Sequence, residues 1–313
     1  SIIIPVKNGG QLFKMVLEGI HKQNFDGTYE VICIDSGSTD QSKQNILQNN
    51  FKLYEISSSD FGHGKTRNFG ASKGSGEYIV FLTHDAIPAN ENWLSQLIKP
   101  LQEDKMVAGS FSRHIAHEDA DPFTKWELEE HFKGLRDYPV CDKNNHPDYQ
   151  TNQGLQQVFH FFSDNASCLR RSVWLEIPLP EVQFAEDQIW AKTIIEKGYR
   201  KAFAYDSVVQ HSHTFGPWET LRRSFDESRA FKKLFGYILS SSLSSSFRSG
   251  LFLLKRDLQN AIKKKWFLTH PTSTLSMVLK SFTRPLGHFL GSCENLPEII
   301  ESRISRDDWI RKL

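Results

Sequence analysis

Gly76-Glu77-Tyr78-Ile79-Val80-Phe81-Leu82-Thr83-His84-Asp85-Ala86 decides how this chain is read. Tyr78–Leu82 is apolar or aromatic throughout, so it predicts a strand buried on both faces rather than one that alternates. A carboxylate, Asp85, follows just where the apolar run ends. An Asp at that place also serves turns and helix caps, but the same layout recurs upstream. Ile2–Val6 is a short buried-type strand running into Lys7-Asn8. Residues 29–34 form a second strand that ends in Asp35-Ser36-Gly37-Ser38, and residues 51–56 a third. Between them, Leu12, Val16, Leu17 and Ile20 have helical spacing. Ile46 and Leu47 mark a helix that Thr39 or Asp40 can cap, and a further helix lies near residues 65–72. Strands alternating with helices predict an α/β fold with a mainly parallel, doubly wound sheet. Such sheets bind ligands beyond the carboxyl ends of their strands, which makes Lys7, Asp35, Ser36, Thr83, His84 and Asp85 candidate site residues.

Three further stretches carry possible chemistry. Phe184-Ala185-Glu186-Asp187-Gln188-Ile189-Trp190 places two adjacent acids at the start of a helix predicted over residues 184–197. Acids there complement the helix dipole, and an acid in such a place also suits a general base. Residues 202–209 read as a strand leading into His211-Ser212-His213. Two residues apart on extended backbone, both imidazoles face one way and suit a metal, although neither Cys nor HExxH accompanies them as zinc would prefer. Phe61-Gly62-His63-Gly64-Lys65-Thr66-Arg67-Asn68 combines glycines, a helix start and two cations, which favours anions. It matches neither the P-loop nor the GxGxxG fingerprint.

The 313 residues suffice for one large domain or two smaller ones. A net charge of +1 excludes a nucleic-acid binder by bulk composition. The charge is uneven, however: residues 222–284 hold thirteen Lys or Arg and three acids. After residue 215 the chain turns helical and serine-rich. Ala230, Phe231, Leu234, Phe235, Ile238 and Leu239 form one apolar stripe. Leu251, Leu254, Leu258, Ile262 and Trp266 form another, with a break expected over residues 240–246. Basic amphipathic helices of this kind suit an anionic membrane surface, and equally a helical pack or a dimer contact. Residues 137–157 are polar and read as a long loop. The four cysteines lack CxxC spacing, and reduced thiols in a cytoplasmic protein are expected. No run of eighteen apolar residues suggests a transmembrane helix, and no signal peptide is visible.

In their order along the chain, these residues resemble glycosyltransferase family 2, the inverting enzymes of GT-A fold. The resemblance covers about residues 1–215. It rests on Ile-Pro-Val-Lys-Asn at 4–8, Ile-Asp-Ser-Gly-Ser-Thr-Asp at 34–40, Gly-Glu-Tyr-Ile-Val-Phe-Leu at 76–82, and Glu186-Asp187. Phe61–Asn68 followed by Thr83-His84-Asp85-Ala86-Ile87-Pro88 is similar to the bacterial rhamnosyltransferase branch, which builds O-antigens and related surface polysaccharides from dTDP-L-rhamnose.

The resemblance implies a GT-A catalytic domain over residues 1–215, with a helical, basic region at 216–313. It implies a dTDP-sugar donor held by Pro5, Lys7, Asp35, Ser36, His63, Arg67, Thr83 and His84. Mg²⁺ or Mn²⁺ would sit on Asp85 with His211 or His213. Asp187 would be the catalytic base, supported by Glu186, with Asp164 and Asn165 on the acceptor side. The implied acceptor is a saccharide, carried on undecaprenyl diphosphate at the inner face of the cell membrane. The chain departs from the family at Thr83, where an Asp-x-Asp motif would supply a second carboxylate. Two other readings are the same fold using a UDP- or GDP-sugar, and a non-catalytic sugar-nucleotide-binding protein. A metal-dependent phosphohydrolase or nucleotidyltransferase is a further alternative.

Overall fold

The structure, a computed structural model, describes residues 1–182 and 184–306. It divides into two compact units. The first comprises Ser1–His117 and Leu128–Ser212; the second comprises Glu118–Glu127 and the chain from His213 onward.

The first unit is built on a sheet of nine strands: β1 (Ile2–Val6), β2 (Val31–Asp35), β3 (Lys52–Glu55), β4 (Tyr78–Leu82), β5 (Ile87–Pro88), β6 (Val107–Ile115), β7 (Val140–Cys141), β8 (Ala166–Arg170) and β9 (Arg200–Gln210). The order is β3-β2-β1-β4-β8-β6-β9-β5, with β7 added alongside β9. β3, β2, β1 and β4 run parallel, as do β6 and β9. β8 is antiparallel to both of its neighbours and joins the two parallel blocks.

Helices α1 (Gly10–His21), α2 (Ser42–Gln48), α3 (His63–Lys73), α4 (Trp93–Glu103), α5 (Pro122–Gly134), α6 (Gln153–His160), α7 (Arg171–Glu176) and α8 (Glu186–Glu196) follow. They cover both faces. Ile2, Ile4, Val80 and Leu82 join the core made with α1 and α4, whereas Ile3, Ile79 and Phe81 join the one made with α6 and α8. That division follows the two-residue period of a strand, and it explains why Tyr78–Leu82 has no polar face.

Residues 137–157 are not a structureless loop. Cys141 pairs with Lys201 in the sheet, and α6 begins within the segment. Most of its polar residues are exposed, but several also close local backbone. Asp142 Oδ1 accepts from Asn144 N at 2.9 Å, and Asn152 Oδ1 caps α6 by accepting from Leu155 N at 3.1 Å. Tyr149 is buried, and its hydroxyl bonds His160 Nε2 at 2.6 Å and Glu196 Oε1 at 3.0 Å.

The second unit contains α9 (Pro217–Phe235), α10 (Leu243–Lys263), α11 (Trp266–Thr269), α12 (Pro271–Ser292) and α13 (Glu298–Ile304). The break before α10 lies earlier than residues 240–246. Gly236, at φ +75°, ends α9, and Ser242 caps α10 by accepting from Ser245 N. Helices α9 and α12 approach closely because Gly287 and Gly291 lie against Ser224 and Ser228. A Cβ on Gly291 would sit 2.3 Å from Phe225 O. Among the described residues, no helix is long and apolar enough to cross a membrane.

Candidate active site

The loops after β1 and β2 lock together. Asn8 N donates to Ser38 Oγ at 2.9 Å, Thr39 N to Asn8 Oδ1 at 2.8 Å, and Gly10 N to Asp40 Oδ2 at 2.9 Å. Asn8 adopts φ +50°, a left-handed conformation its amide side chain tolerates. Within this frame Asp35 is fully buried at the end of β2. Its Oδ1 accepts from Gly37 N and Ser38 N at 3.0 and 2.9 Å, while Oδ2 has no hydrogen-bond partner among the described residues. A buried carboxylate oxygen left over at a strand end is an acceptor site for a ligand N–H or O–H. Ser36 is also buried, with its backbone N–H on Val6 O. Lys7 is exposed and donates to Ser58 Oγ at 3.3 Å. Pro5 is half-buried within β1, opposite Ile34.

A second cluster lies where α3, the loop before β8 and the start of α8 meet. Arg67 Nη1 donates to Glu186 Oε1 at 2.7 Å, and Nη2 to Asp164 O at 3.3 Å. Arg67 Nε and Asp164 Oδ2 are 3.9 Å apart, beyond hydrogen-bond reach but opposite in charge. Ser167 Oγ donates to Asp164 Oδ1 at 2.6 Å. Asp187, half-buried, accepts from Asp164 N at 3.2 Å and from Gln188 N at 2.8 Å. Three carboxylates around one guanidinium leave two negative charges uncompensated. Burial and the charges of Glu186 and Asp164 therefore hold the Asp187 carboxyl well above the usual carboxylate range, with Arg67 opposing. Asp164 is raised too, by burial first, against Arg67. Ala185 takes φ +57° just before this pair, a left-handed strain that non-glycine residues keep where the surroundings enforce it.

Of the two glycines in residues 61–68, Gly64 serves packing. A Cβ on Gly64 would sit 2.1 Å from Pro180 O, so α3 starts against the backbone that leads to Glu186. His63 is exposed at the first position of α3, edge-on to Phe61.

The third cluster follows β4 and β9. Thr83 N donates to Asn165 O at 3.0 Å, which ties the end of β4 to the acid cluster. His84 is half-buried beside Gly9. Asp85 Oδ1 lies 3.7 Å from His211 Nε2. One ligand atom each of Asp85, His211 and His213, the last joined to His211 through Ser212, lies within 4.8 Å of the others. One carboxylate and two imidazoles at this separation fit a divalent cation.

His114 on β6 joins this cluster without having been expected there. Its ring stands edge-on to His211 at 5.3 Å and is 5% exposed. Burial, then the neighbouring His211 and His131, hold its proton affinity well below that of a free imidazole. His114 is thus a neutral wall behind His211. One histidine in a mixed strand such as β6 carries no local signal of that role. Arg67 is expected on the nucleotide, but its guanidinium is buried and committed to Glu186 and Asp164.

The profile described as glycosyl transferase family 2 matches residues 1–176. O-antigen chain rhamnosyltransferase RfbN of Salmonella typhimurium is 30% identical over 295 residues, covering 93% of this chain and 88% of the relative. O-antigen chain rhamnosyltransferase WbaN of Salmonella anatum is 30% identical with the same coverage. Among solved structures, mannosyltransferase PcManGT of Pyrobaculum calidifontis, in complex with GDP-Man and Mn²⁺, superposes with a TM-score of 0.58 at 17% identity, over 92% of this chain and 86% of that one. Residues 1–349 of S. aureus TarS superpose with a TM-score of 0.51 at 16% identity, over 93% and 89% of the two chains.

Proposed function

The chain belongs to glycosyl transferase family 2 and has the GT-A fold, and from that premise we propose that it is an inverting enzyme transferring L-rhamnose from dTDP-L-rhamnose to a saccharide acceptor. Similarity to two O-antigen rhamnosyltransferases along nearly their whole length supports the sugar and the pathway class, bacterial surface polysaccharide. The observation that carries the mechanism is Asp187, a carboxyl of raised proton affinity at the mouth of α8.

In this reading Asp187 takes the proton of the acceptor hydroxyl. The hydroxyl oxygen attacks C1 of the sugar from the face opposite the diphosphate, the C1–O bond to phosphate breaks, and dTDP leaves. Arg67 acts as a positioning residue, fixing Glu186 and sharing the charge of Asp164. Asp164 and Asn165 line the acceptor side. Pro5, Lys7, Asp35 and Ser36 receive the nucleoside; the unpartnered Oδ2 of Asp35 supports an acceptor role toward it. His63, Thr83 and His84 border the diphosphate. Asp85, His211 and His213 would hold Mg²⁺ or Mn²⁺, which when bound offsets the charge accumulating on the departing diphosphate. The acceptor is a saccharide on undecaprenyl diphosphate, and the basic helical unit contacts the inner face of the membrane that carries it.

The test is dTDP release from dTDP-rhamnose, UDP-glucose, UDP-galactose and GDP-mannose, with and without acceptor and metal. Acceptor-dependent release of dTDP is expected. Donor breakdown without acceptor, or a nucleoside monophosphate product, would indicate a hydrolase or nucleotidyltransferase. Tight donor binding with no release would indicate a binding protein.

A further inference from the structure

Between Asp257 and Glu294 the chain contains neither Asp nor Glu, yet it contains Lys263, Lys264, Lys265, Lys280 and Arg284. Three of these lysines fall at the turn between α10 and α12. The chain reverses there through Lys265, whose φ of +57° is left-handed and unfavourable for a residue with a Cβ. The turn sorts the residues after it. Trp266 points inward, edge-on to Phe123 at 4.9 Å, and joins a small core with Ala261 and Met277. Phe267 and Leu268 point outward, 47% and 68% exposed. Ile262 and Leu275 add exposed apolar surface near the adjoining helix ends, and Leu279 does so one turn further along α12.

We propose that this turn is a membrane anchor, with Phe267 and Leu268 entering the headgroup region of a bilayer and Lys263, Lys264 and Lys265 pairing with anionic lipid phosphates. The inference rests on the membrane contact proposed above and assigns it to particular residues. Charge complementarity selects the occupant. A second copy of the same turn would bring like charges together without an acid to pair them, whereas an anionic bilayer supplies both the charge and the apolar interior. Lysine stems of this length lie along apolar surface while their ammonium groups reach phosphate. Trp266 holds the turn to its own unit, so the two exposed residues enter on a fixed support.

The experiment is co-sedimentation of the full chain with vesicles of phosphatidylcholine containing phosphatidylglycerol, and with vesicles of phosphatidylcholine alone. The wild type should pellet with the anionic vesicles at low salt and be released as salt rises. Phe267→Ser with Leu268→Ser should weaken the partition about tenfold or more. Lys263→Gln with Lys264→Gln should weaken it roughly 25-fold, since each lysine near the surface is worth about fivefold. Both variants should still release dTDP with a water-soluble acceptor. The proposal is overturned if the wild type stays in the supernatant, if it pellets equally with neutral vesicles, or if the variants pellet unchanged. It is also overturned if the wild type is a dimer that Phe267→Ser with Leu268→Ser dissociates. A protein that transfers sugar but ignores vesicles refutes the anchor alone; one that pellets but never releases dTDP refutes the transferase reading alone.

Discussion

The base role proposed for Asp187 pulls against the stability of the fold. A base needs high proton affinity, and here burial beside two other acids supplies it at the expense of the fold. Because the folded protein holds that proton more tightly than the unfolded chain, stability falls as pH rises from the unfolded carboxyl value, about 4, through the raised folded value. Asp187→Asn should therefore lower kcat by about 10²–10⁴ while leaving dTDP-sugar binding in place. The same variant should melt at a higher temperature than wild type at neutral pH, an advantage that disappears near pH 4. Equal melting at both pH values would refute the charge assignment. The alkaline-rising limb of kcat/KM should titrate above the ordinary carboxylate range. These acids were legible as Glu186-Asp187 in the sequence. The guanidinium that joins Glu186 to Asp164 was not, because Arg67 lies 119 residues away from Glu186 and no local pattern links them.

At the level of elements, apolar runs announced β1, β2 and β4, because strands buried on both faces leave no polar residue inside the run. Residues 137–157 escaped that reading because their Asp and Asn side chains, mostly facing solvent, also cap short turns and α6, and polarity alone does not separate such caps from a loop. Gly64 shows the same limit. Its lack of a side chain suggested a ligand's approach, but what approaches is the Pro180 carbonyl. Gly64→Ala must push α3 away from that carbonyl, at a cost of about 1–3 kcal/mol. Calorimetry should show the lower melting temperature, and the Arg67–Glu186 pair, carried by the same two segments, should lose activity with it. Unchanged melting would mean that the segment after Pro180 yields freely.

Across the whole molecule, the uneven charge of the chain matches its division into two units: the basic, acid-poor stretch over residues 222–284 falls entirely in the second. How that unit packs was not legible, since Gly287 and Gly291 meet serines on another helix, a match only proximity reveals. Gly291→Leu should cost more than about 3 kcal/mol, because its Cβ meets backbone that cannot rotate away. Limited proteolysis should then open the helical unit first. The cluster of Asp85, His211 and His213 reaches furthest beyond the protein. Of the two ions proposed for this site, one carboxylate with two nitrogen donors would favour manganese over magnesium, a harder ion that prefers oxygen and keeps its water. Half-maximal activity should need far less Mn²⁺ than Mg²⁺, and His211→Asp should narrow the gap. On the proposed function, the rate of sugar transfer would then follow the supply of manganese.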